Sequence, residues 1–145
     1  MQCEIKMRPR YESEQDLYNE ENAKSIIETS YNCVLRKLPI SYNADWVATR
    51  NGDVVAVIEY KKRTFNKDKY PTTFIFVDKW MNSLRLAETM AVPFILIIEW
   101  TDGIYWHHAG TCDVEFKISG RTDRNDPQDM QPSVHIPVTA FKSIK

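Results

Sequence analysis

The sequence predicts an α/β fold in which a central mixed β-sheet is flanked by helices. Two amphipathic helix patterns are separated by a group of strand patterns, and the second helix leads into a continuous apolar strand. A chain of 145 residues is long enough to bury one core, and neither a repeat nor a linker divides it. We therefore expect a single domain over residues 1–145, with its core at 13–108.

The first helix is predicted over residues 13–30. Ser13 or Asp16 can cap its start, and acidic residues crowd its first turns, where the helix dipole favours them. Its apolar residues recur at helical spacing and form one stripe, which consists of Leu17, Ala23, Ile26, Ile27 and Tyr31.

Three strands are predicted after this helix, over residues 33–38, 44–49 and 54–61. Pro39 ends the first strand, because a proline cannot donate a hydrogen bond to a sheet ladder. Asn51 and Gly52 form a strong turn signal between the second and third strands. We expect these two strands to form a hairpin.

The next segments supply a second helix and its neighbouring strand. Residues 73–77 read either as a short strand or as the entry into a helix over 78–90. The apolar face of that helix comprises Trp80, Leu84, Ala87 and Met90 or Ala91. Residues 93–100 form a continuous apolar strand, so both of its faces should be covered.

The last part of the chain predicts two further strands and a tail. Asp102 and Gly103 signal a turn into a strand over 104–108, and residues 112–118 alternate in the manner of another strand. The segment 119–145 is rich in turn-forming residues, and we expect it to be irregular.

Charge and cysteine content restrict the class of protein. The net charge of −1 means that nucleic-acid binding would depend on a local patch of basic residues. Three cysteines lie far apart, which favours reduced thiols in a cytoplasmic compartment. No signal-peptide pattern or membrane-spanning run is present, so we expect no membrane association.

Charged residues stand at the ends of the most apolar hairpin, where Asp45 begins one strand and Glu59 and Lys61 end the other. Glu59 and Lys61 share a face because strand side chains alternate. A two-residue turn would place Asp45 opposite Ile58 and on the other face. A three-residue turn or a β-bulge would place it opposite Glu59.

Two adjacent carboxylates repel each other unless a cation lies between them. Oxygen ligands of this kind suit Mg²⁺ or Mn²⁺, and the backbone carbonyl of Tyr60 is a further candidate ligand. Lys61 is placed to hold or deprotonate a water, or to stabilise a negatively charged transition state. Together these groups suit the hydrolysis of a phosphodiester.

The pattern Asp45, thirteen residues, Glu59-Tyr60-Lys61 resembles the signature of the PD-(D/E)XK nuclease superfamily. The predicted order of elements agrees with that superfamily's restriction-endonuclease-like core, αβββαβ. Ala44 stands where the name of the superfamily has a proline. The spacings over residues 19–63 also resemble those of small Holliday-junction resolvases and phage-type nucleases.

The resemblance implies a Mg²⁺- or Mn²⁺-dependent nuclease acting on DNA, as a homodimer or as a subunit of a larger complex. It also implies a glutamate on the first helix that completes the acidic shell of the metal. The compact single domain would suit a phage-encoded protein. Glu20 lies near the centre of the Ala23/Ile27 stripe, whereas Glu21 turns away from it, so Glu20 is the preferred residue and Glu21 the alternative.

Basic residues follow the catalytic pattern and predict contacts with phosphates; they are Lys62, Arg63, Lys67, Lys69 and, at the start of the second helix, Lys79. A different class of protein stays open. The same fold could serve as a non-catalytic nucleic-acid-binding or protein-interaction module, whose acids merely pair with the basic loop.

Overall fold

The computed structural model describes residues 14–39, 44–119 and 130–144. Within these ranges it contains two α-helices and nine strands. In chain order they are α1 Glu14–Tyr31, β1 Val34–Lys37, β2 Trp46–Arg50, β3 Asp53–Lys62, β4 Thr72–Phe76, α2 Val77–Met90, β5 Phe94–Trp100, β6 Gly103–His108, β7 Glu115–Ser119, β8 Gln131–Pro137 and β9 Lys142–Ser143.

Six strands form a central mixed sheet in the order β1-β2-β3-β5-β6-β9. Strands β3 and β5 are parallel, because α2 lies in the crossover between them, whereas the other neighbouring pairs are antiparallel. This arrangement confirms the predicted α/β fold class, and α1, β1, β2, β3, α2 and β5 follow one another in the predicted order αβββαβ, with β4 inserted before α2.

A second, three-stranded antiparallel sheet in the order β4-β8-β7 was not predicted. Residues 73–77 had two interpretations, and the strand is correct, because β4 pairs with β8 along its whole length. The expectation of an irregular tail is wrong for β8 and β9, while residues 120–129 and 145 lie outside the described ranges. Prolines near both ends of β8 signal turns locally, but pairing along both edges of the strand outweighs that signal.

Apolar residues pack into two clusters, one on each face of the central sheet. The cluster on the α2 face also includes residues of the second sheet, while the other lies under α1. Leu96 of β5 belongs to the first cluster and the next residue, Ile97, to the second. Strand β5 is therefore covered on both faces, as its continuous apolar run predicted.

The predicted stripe of α1 is only partly buried. Ala23 and Ile27 are fully buried, but Ile26 is 47% exposed and Tyr31 is 38% exposed. The side chain of Leu17 lies outside the described part of the structure. An apolar groove of about 210 Å³ lies beside α1, where Ile27, Tyr31 and Trp106 border it. The helix thus covers only part of this face, which explains the exposed end of the stripe.

Helix α2 buries its predicted apolar face more completely than α1 does. Trp80 and Ala87 are buried and Leu84 is partly buried against the same cluster, while Met90 is 39% exposed at the last turn. Within the described ranges, neither α1 nor α2 combines the length and the apolar character that a membrane-spanning helix requires.

Candidate active site

The hairpin between β2 and β3 has a two-residue turn, in which Arg50 pairs with Asp53. Asn51 and Gly52 occupy the turn with φ values of 53° and 85°. Both lie in the left-handed region, which this hairpin turn requires and which asparagine and glycine tolerate. The three-residue turn, one of the two routes to an Asp45–Glu59 pairing, is not formed.

The other route, a β-bulge, is present in the hairpin. Thr49 pairs with Val54 but Ala48 pairs with Ala56, so Val55 is the extra residue of β3. Val55 packs with the cluster under α1. The bulge moves the register by one residue.

In the shifted register Trp46 pairs with Ile58. Asp45 precedes Trp46 and Glu59 follows Ile58, so the two acids stand one residue beyond this pair. The backbone N–H of Asp45 donates to the carbonyl of Ile58 at 3.1 Å. The Asp45 Oδ2 accepts from the backbone N–H of Tyr60 at 2.7 Å. The carboxylate of Asp45 therefore replaces a ladder carbonyl and is held at the end of the strand pair.

Glu59 is a fully buried carboxyl group on the α2 face of the sheet. Its Oε1 accepts a hydrogen bond from Lys79 Nζ at 3.0 Å and lies 3.8 Å from Lys61 Nζ. Its Oε2 is buried and has no hydrogen-bond partner among the described residues. Burial, and then the charge of Asp45, raises the pKa of Glu59 to about 7, although Lys79 and Lys61 act in the opposite direction.

The two lysines beside Glu59 respond differently to this environment. Burial lowers the pKa of Lys61, and the charge of Glu59 offsets only part of that effect. Burial also acts to lower the pKa of Lys79, but Glu59 and Asp45 outweigh it and the pKa is raised. Lys79 is thus a firmly charged partner of Glu59, while Lys61 is the lysine that deprotonates more easily.

Glu20 approaches the site from the other face of the sheet. Its Oε2 lies 2.6 Å from Lys37 Nζ, and the same ammonium lies 3.8 Å from Asp45 Oδ1. The Glu20 side chain is 13% exposed, whereas the Glu21 side chain is 71% exposed and lies 4.0 Å from Lys24. Of the two helix acids, Glu20 is therefore the one that lies beside the site.

The structure does not join Glu20, Asp45 and Glu59 into one set of ligands. Within the described ranges, no three His, Cys, Asp or Glu side chains lie close enough together to hold a metal ion. Glu59 packs toward α2 and Glu20 projects from α1, so Lys37 rather than a common centre links Glu20 to Asp45. A direct contact of Glu20 with a metal remains a prediction.

Asp45, Glu59 and the Tyr60 carbonyl nevertheless fit a hard divalent cation. All three present oxygen, and the buried Oε2 of Glu59 lacks a partner among the described residues. Mg²⁺ is commonly bound through one or two carboxylates, with waters and substrate phosphate completing the shell. These oxygens are the groups that could hold such an ion.

Two residues beside the site were missed by the sequence interpretation. Lys37 links Glu20 to Asp45, and Glu99 of β5 accepts from Tyr60 Oη at 2.7 Å and from Lys62 Nζ at 3.1 Å. Burial, followed by these contacts with Glu99, raises the pKa of the Tyr60 phenol. An acid inside the apolar run of β5 was the available signal for Glu99, but its partners depend on the parallel register that pairs it with Lys62.

The predicted basic patch is only partly available to a ligand. Arg63 donates through Nη2 to the carbonyl of Phe74 at 2.7 Å, and its guanidinium carbon lies 5.2 Å from the centroid of the Phe74 ring. The ammonium of Lys67 lies 5.0 Å from the Tyr105 ring centroid. The ammonium of Lys69 lies 5.5 Å from the Phe65 ring centroid, and this residue is exposed. Exposed Lys62 and Lys69 remain suitable for phosphate contacts, whereas Arg63 is held inside the fold.

The mixed sheet, the two helices and the acid–lysine cluster at the end of β3 define a protein of the PD-(D/E)XK superfamily. Residues 6–144 match the family described as "Phage putative PDDEXK endonuclease", and the chain belongs to this family.

Solved structures resemble this fold as well. One is the Holliday junction resolvase Hjc of the archaeal hyperthermophile Archaeoglobus fulgidus, with a TM-score of 0.59 and 12% sequence identity. The likeness covers 86% of this chain and 96% of the resolvase. At this identity it establishes the shared fold. No curated protein matches the chain in sequence.

Proposed function

We propose that this protein is a divalent-metal-dependent endonuclease that hydrolyses phosphodiester bonds in DNA. The observation that carries the proposal is the Glu59 carboxyl group, which is fully buried and has one oxygen without a partner in the described structure. A buried carboxylate costs free energy unless it is paired or binds a cation. Membership of the endonuclease family supports the same reading.

Asp45, Glu59 and the Tyr60 carbonyl would hold Mg²⁺ or Mn²⁺, and a bound ion would supply charge stabilisation and a more acidic water. In the hydrolysis, the oxygen of a water forms a bond to phosphorus and the bond to one sugar oxygen breaks. The water loses a proton and the departing sugar oxygen gains one. Lys61, whose pKa burial lowers, is suited to orient that water and to accept its proton.

Other residues position these groups. The hydrogen bond from the Tyr60 N–H fixes the carboxylate of Asp45 at 2.7 Å. The contact of Tyr60 with Glu99 anchors the same residue on the opposite face of the sheet, so the strand end is held from both sides. We assign Glu20 and Lys37 the role of steadying Asp45, and exposed Lys62 and Lys69 that of contacting DNA phosphates.

The substrate and the assembly are further parts of this proposal. The resolvase whose fold is similar is named for Holliday junctions, so branched DNA is the first structure to compare with duplex and single strands. A homodimer would present two sites to two strands. The cytoplasm remains the predicted place of action.

The test is a cleavage assay on labelled single-stranded, duplex and four-way-junction DNA, with Mg²⁺, with Mn²⁺ and with a chelator. We expect metal-dependent internal cuts that fall by about a hundredfold or more in Glu59→Ala and Lys61→Ala. Circular dichroism would show that both variants are folded. Lys117→Met, which removes a lysine 3.2 Å from Glu115 in the second sheet, is the matched control. Metal-independent cutting, or full activity in Glu59→Ala, would refute the proposal.

One observation favours the alternative of a non-catalytic binding module. Lysines already neutralise the site acids, since Lys79 pairs with Glu59 and Lys37 lies between Glu20 and Asp45. A module of this kind would bind DNA equally well with and without chelator and would cut none of the three substrates. The same assay, run beside a DNA-binding measurement, separates the two functions.

A further inference from the structure

Lys79 is paired with an acid of the site, whereas a lysine that serves only to contact phosphate would not need such a partner. It lies in the first turn of α2, and its ammonium donates to Glu59 Oε1 at 3.0 Å. Glu59 belongs to the metal-binding set proposed above. Lys79 is therefore engaged with a candidate metal ligand as long as no ion is bound.

We propose that Lys79 is a metal-gated DNA contact: it holds the Glu59 carboxylate before a divalent ion binds, and it turns to a DNA phosphate afterwards. This inference rests on the proposed function, because it requires Glu59 to bind a metal ion. It assigns to Lys79 a conditional role in place of the constant phosphate contact that the sequence suggested.

The charges around the site support an exchange of partners. Three acids and three lysines form two ion-paired groups there: Glu20 and Asp45 with Lys37, and Glu59 with Lys61 and Lys79. The formal charges of these groups cancel without a metal ion. A divalent cation would add two positive charges to a balanced set, and the nearest ammonium would then be repelled.

Distances indicate which lysine would move. Lys79 lies 3.0 Å from Glu59 Oε1, whereas Lys61 lies 3.8 Å from the same oxygen. The closer ammonium competes more directly with an incoming ion for that oxygen. Its side chain is 24% exposed and has a flexible four-carbon stem, so it can turn outward without moving α2.

A released ammonium would meet the substrate. A DNA phosphate that approaches the proposed metal-binding set would bring an opposite charge into reach of this ammonium. The metal would then raise DNA affinity in two ways, through its own contact with phosphate and through the release of Lys79.

The experiment measures DNA affinity by fluorescence anisotropy on a labelled four-way junction, with chelator and with Ca²⁺. Gels run in parallel would show that the DNA stays intact. In chelator, Lys79→Met should bind within about twofold of the wild type, because Lys79 is then held by Glu59. In Ca²⁺, it should bind about tenfold more weakly and show a salt dependence reduced by about one phosphate contact.

Lys79→Arg tests whether charge at this position is what matters, and it should recover most of the affinity in Ca²⁺. Lys117→Met is the matched control, since it removes a lysine paired with a carboxylate on the outer strand of the second sheet. It should leave affinity unchanged in both conditions. An equal loss for Lys79→Met with and without Ca²⁺ would indicate a constant contact or a structural role and would overturn the gating.

A second background keeps the inference testable if Lys79→Met folds poorly by itself. In Glu59→Gln the carboxylate charge is absent, so Lys79 should be free even in chelator. Adding Lys79→Met to Glu59→Gln should then weaken metal-free DNA binding by about tenfold. No additional loss in this double variant would contradict the proposal.

The wild type distinguishes the failure of this inference from the failure of the proposed function. A wild type that gains no affinity with Ca²⁺ and cuts no DNA with Mg²⁺ or Mn²⁺ would overturn both. A wild type that gains affinity and cuts DNA, beside an equal loss for Lys79→Met in both conditions, would overturn the gating alone.

Discussion

Burial places the carboxyl group of Glu59 near the midpoint of its titration at neutral pH. Its pKa is raised to about 7, first by burial and then by the charge of Asp45. The adjacent lysines limit the shift but do not reverse it. A residue in this state would release its proton on binding the proposed divalent cation, which would couple metal binding to pH.

The same group should leave a signature in the pH dependence of stability. The folded protein holds the Glu59 proton from the ordinary pKa of 4.5 up to about 7, whereas the unfolded chain has already released it. The stabilising contribution is therefore fully present below 4.5 and is lost as the pH rises through about 7.

We expect the free energy of unfolding of the wild type to fall relative to that of Glu59→Gln as the pH rises across this window. The difference should reach up to about 3 kcal/mol. Urea unfolding at several pH values in the presence of a chelator measures it. Glu115→Gln, which changes an exposed carboxylate 3.2 Å from Lys117, is the control. Parallel pH curves for the wild type and Glu59→Gln would contradict the account.

At the scale of the elements, the bulge in β3 decides how the hairpin presents its acids. Asn51 and Gly52 are compatible in sequence with either a two-residue or a three-residue turn. Their φ values are those of the two-residue turn. The extra residue, Val55, is accommodated in the bulge because its side chain packs under α1. Alternation along one strand cannot show this, because the choice depends on a helix distant in sequence.

The end of α2 offers a prediction at the same scale. Ala91 follows the helix with a φ of 57°, a left-handed conformation that a residue with a Cβ adopts at a cost. Ala91→Gly should therefore raise the free energy of unfolding by about 0.5–1 kcal/mol. Ala87→Gly, at a buried position inside the same helix, should lower it by about 1 kcal/mol or more. Chemical denaturation of both variants is the measurement, and destabilisation by Ala91→Gly would refute the prediction.

At the scale of the whole molecule, Arg63 joins the two sheets. Its backbone N–H donates to the Glu99 carbonyl at 2.8 Å, and its guanidinium donates to the Phe74 carbonyl of β4 at 2.7 Å. The basic loop that follows β3 is thus partly a structural connection. Lys69, which is exposed on that loop, has no comparable hydrogen bond to the second sheet in the described structure.

We expect Arg63→Ala and Lys69→Ala to act on different properties. Arg63→Ala should lower the free energy of unfolding by about 2 kcal/mol, because a charged hydrogen bond and a ring contact are lost. Lys69→Ala should change stability by less than about 0.5 kcal/mol, and should weaken DNA binding with a salt dependence reduced by about one contact. Thermal unfolding and anisotropy titrations at several salt concentrations measure both. The opposite assignment of effects would refute this division.

The sequence by itself determined the features that local patterns encode. Local patterns predicted both helices and the strands β1, β2, β3, β5, β6 and β7, but left the segment of β4 open between a strand and a helix entry. The position of Glu20 within the Ala23/Ile27 stripe predicted which helix acid would face the sheet. The spacing of Asp45, Glu59 and Lys61 indicated the superfamily, to which the chain belongs. These signals lie within single elements or one hairpin, so the order of residues contains them.

Only the tertiary structure decided the features that depend on distant segments. The second sheet brings β4 together with β8, more than fifty residues away, and no local pattern specifies that pairing. The contacts of Lys79 with Glu59, of Lys37 with Glu20 and of Glu99 with Tyr60 each join different elements. Whether a charged side chain binds a phosphate or a neighbouring acid depends on how these elements pack, because burial makes an unpaired charge costly and so selects its partner.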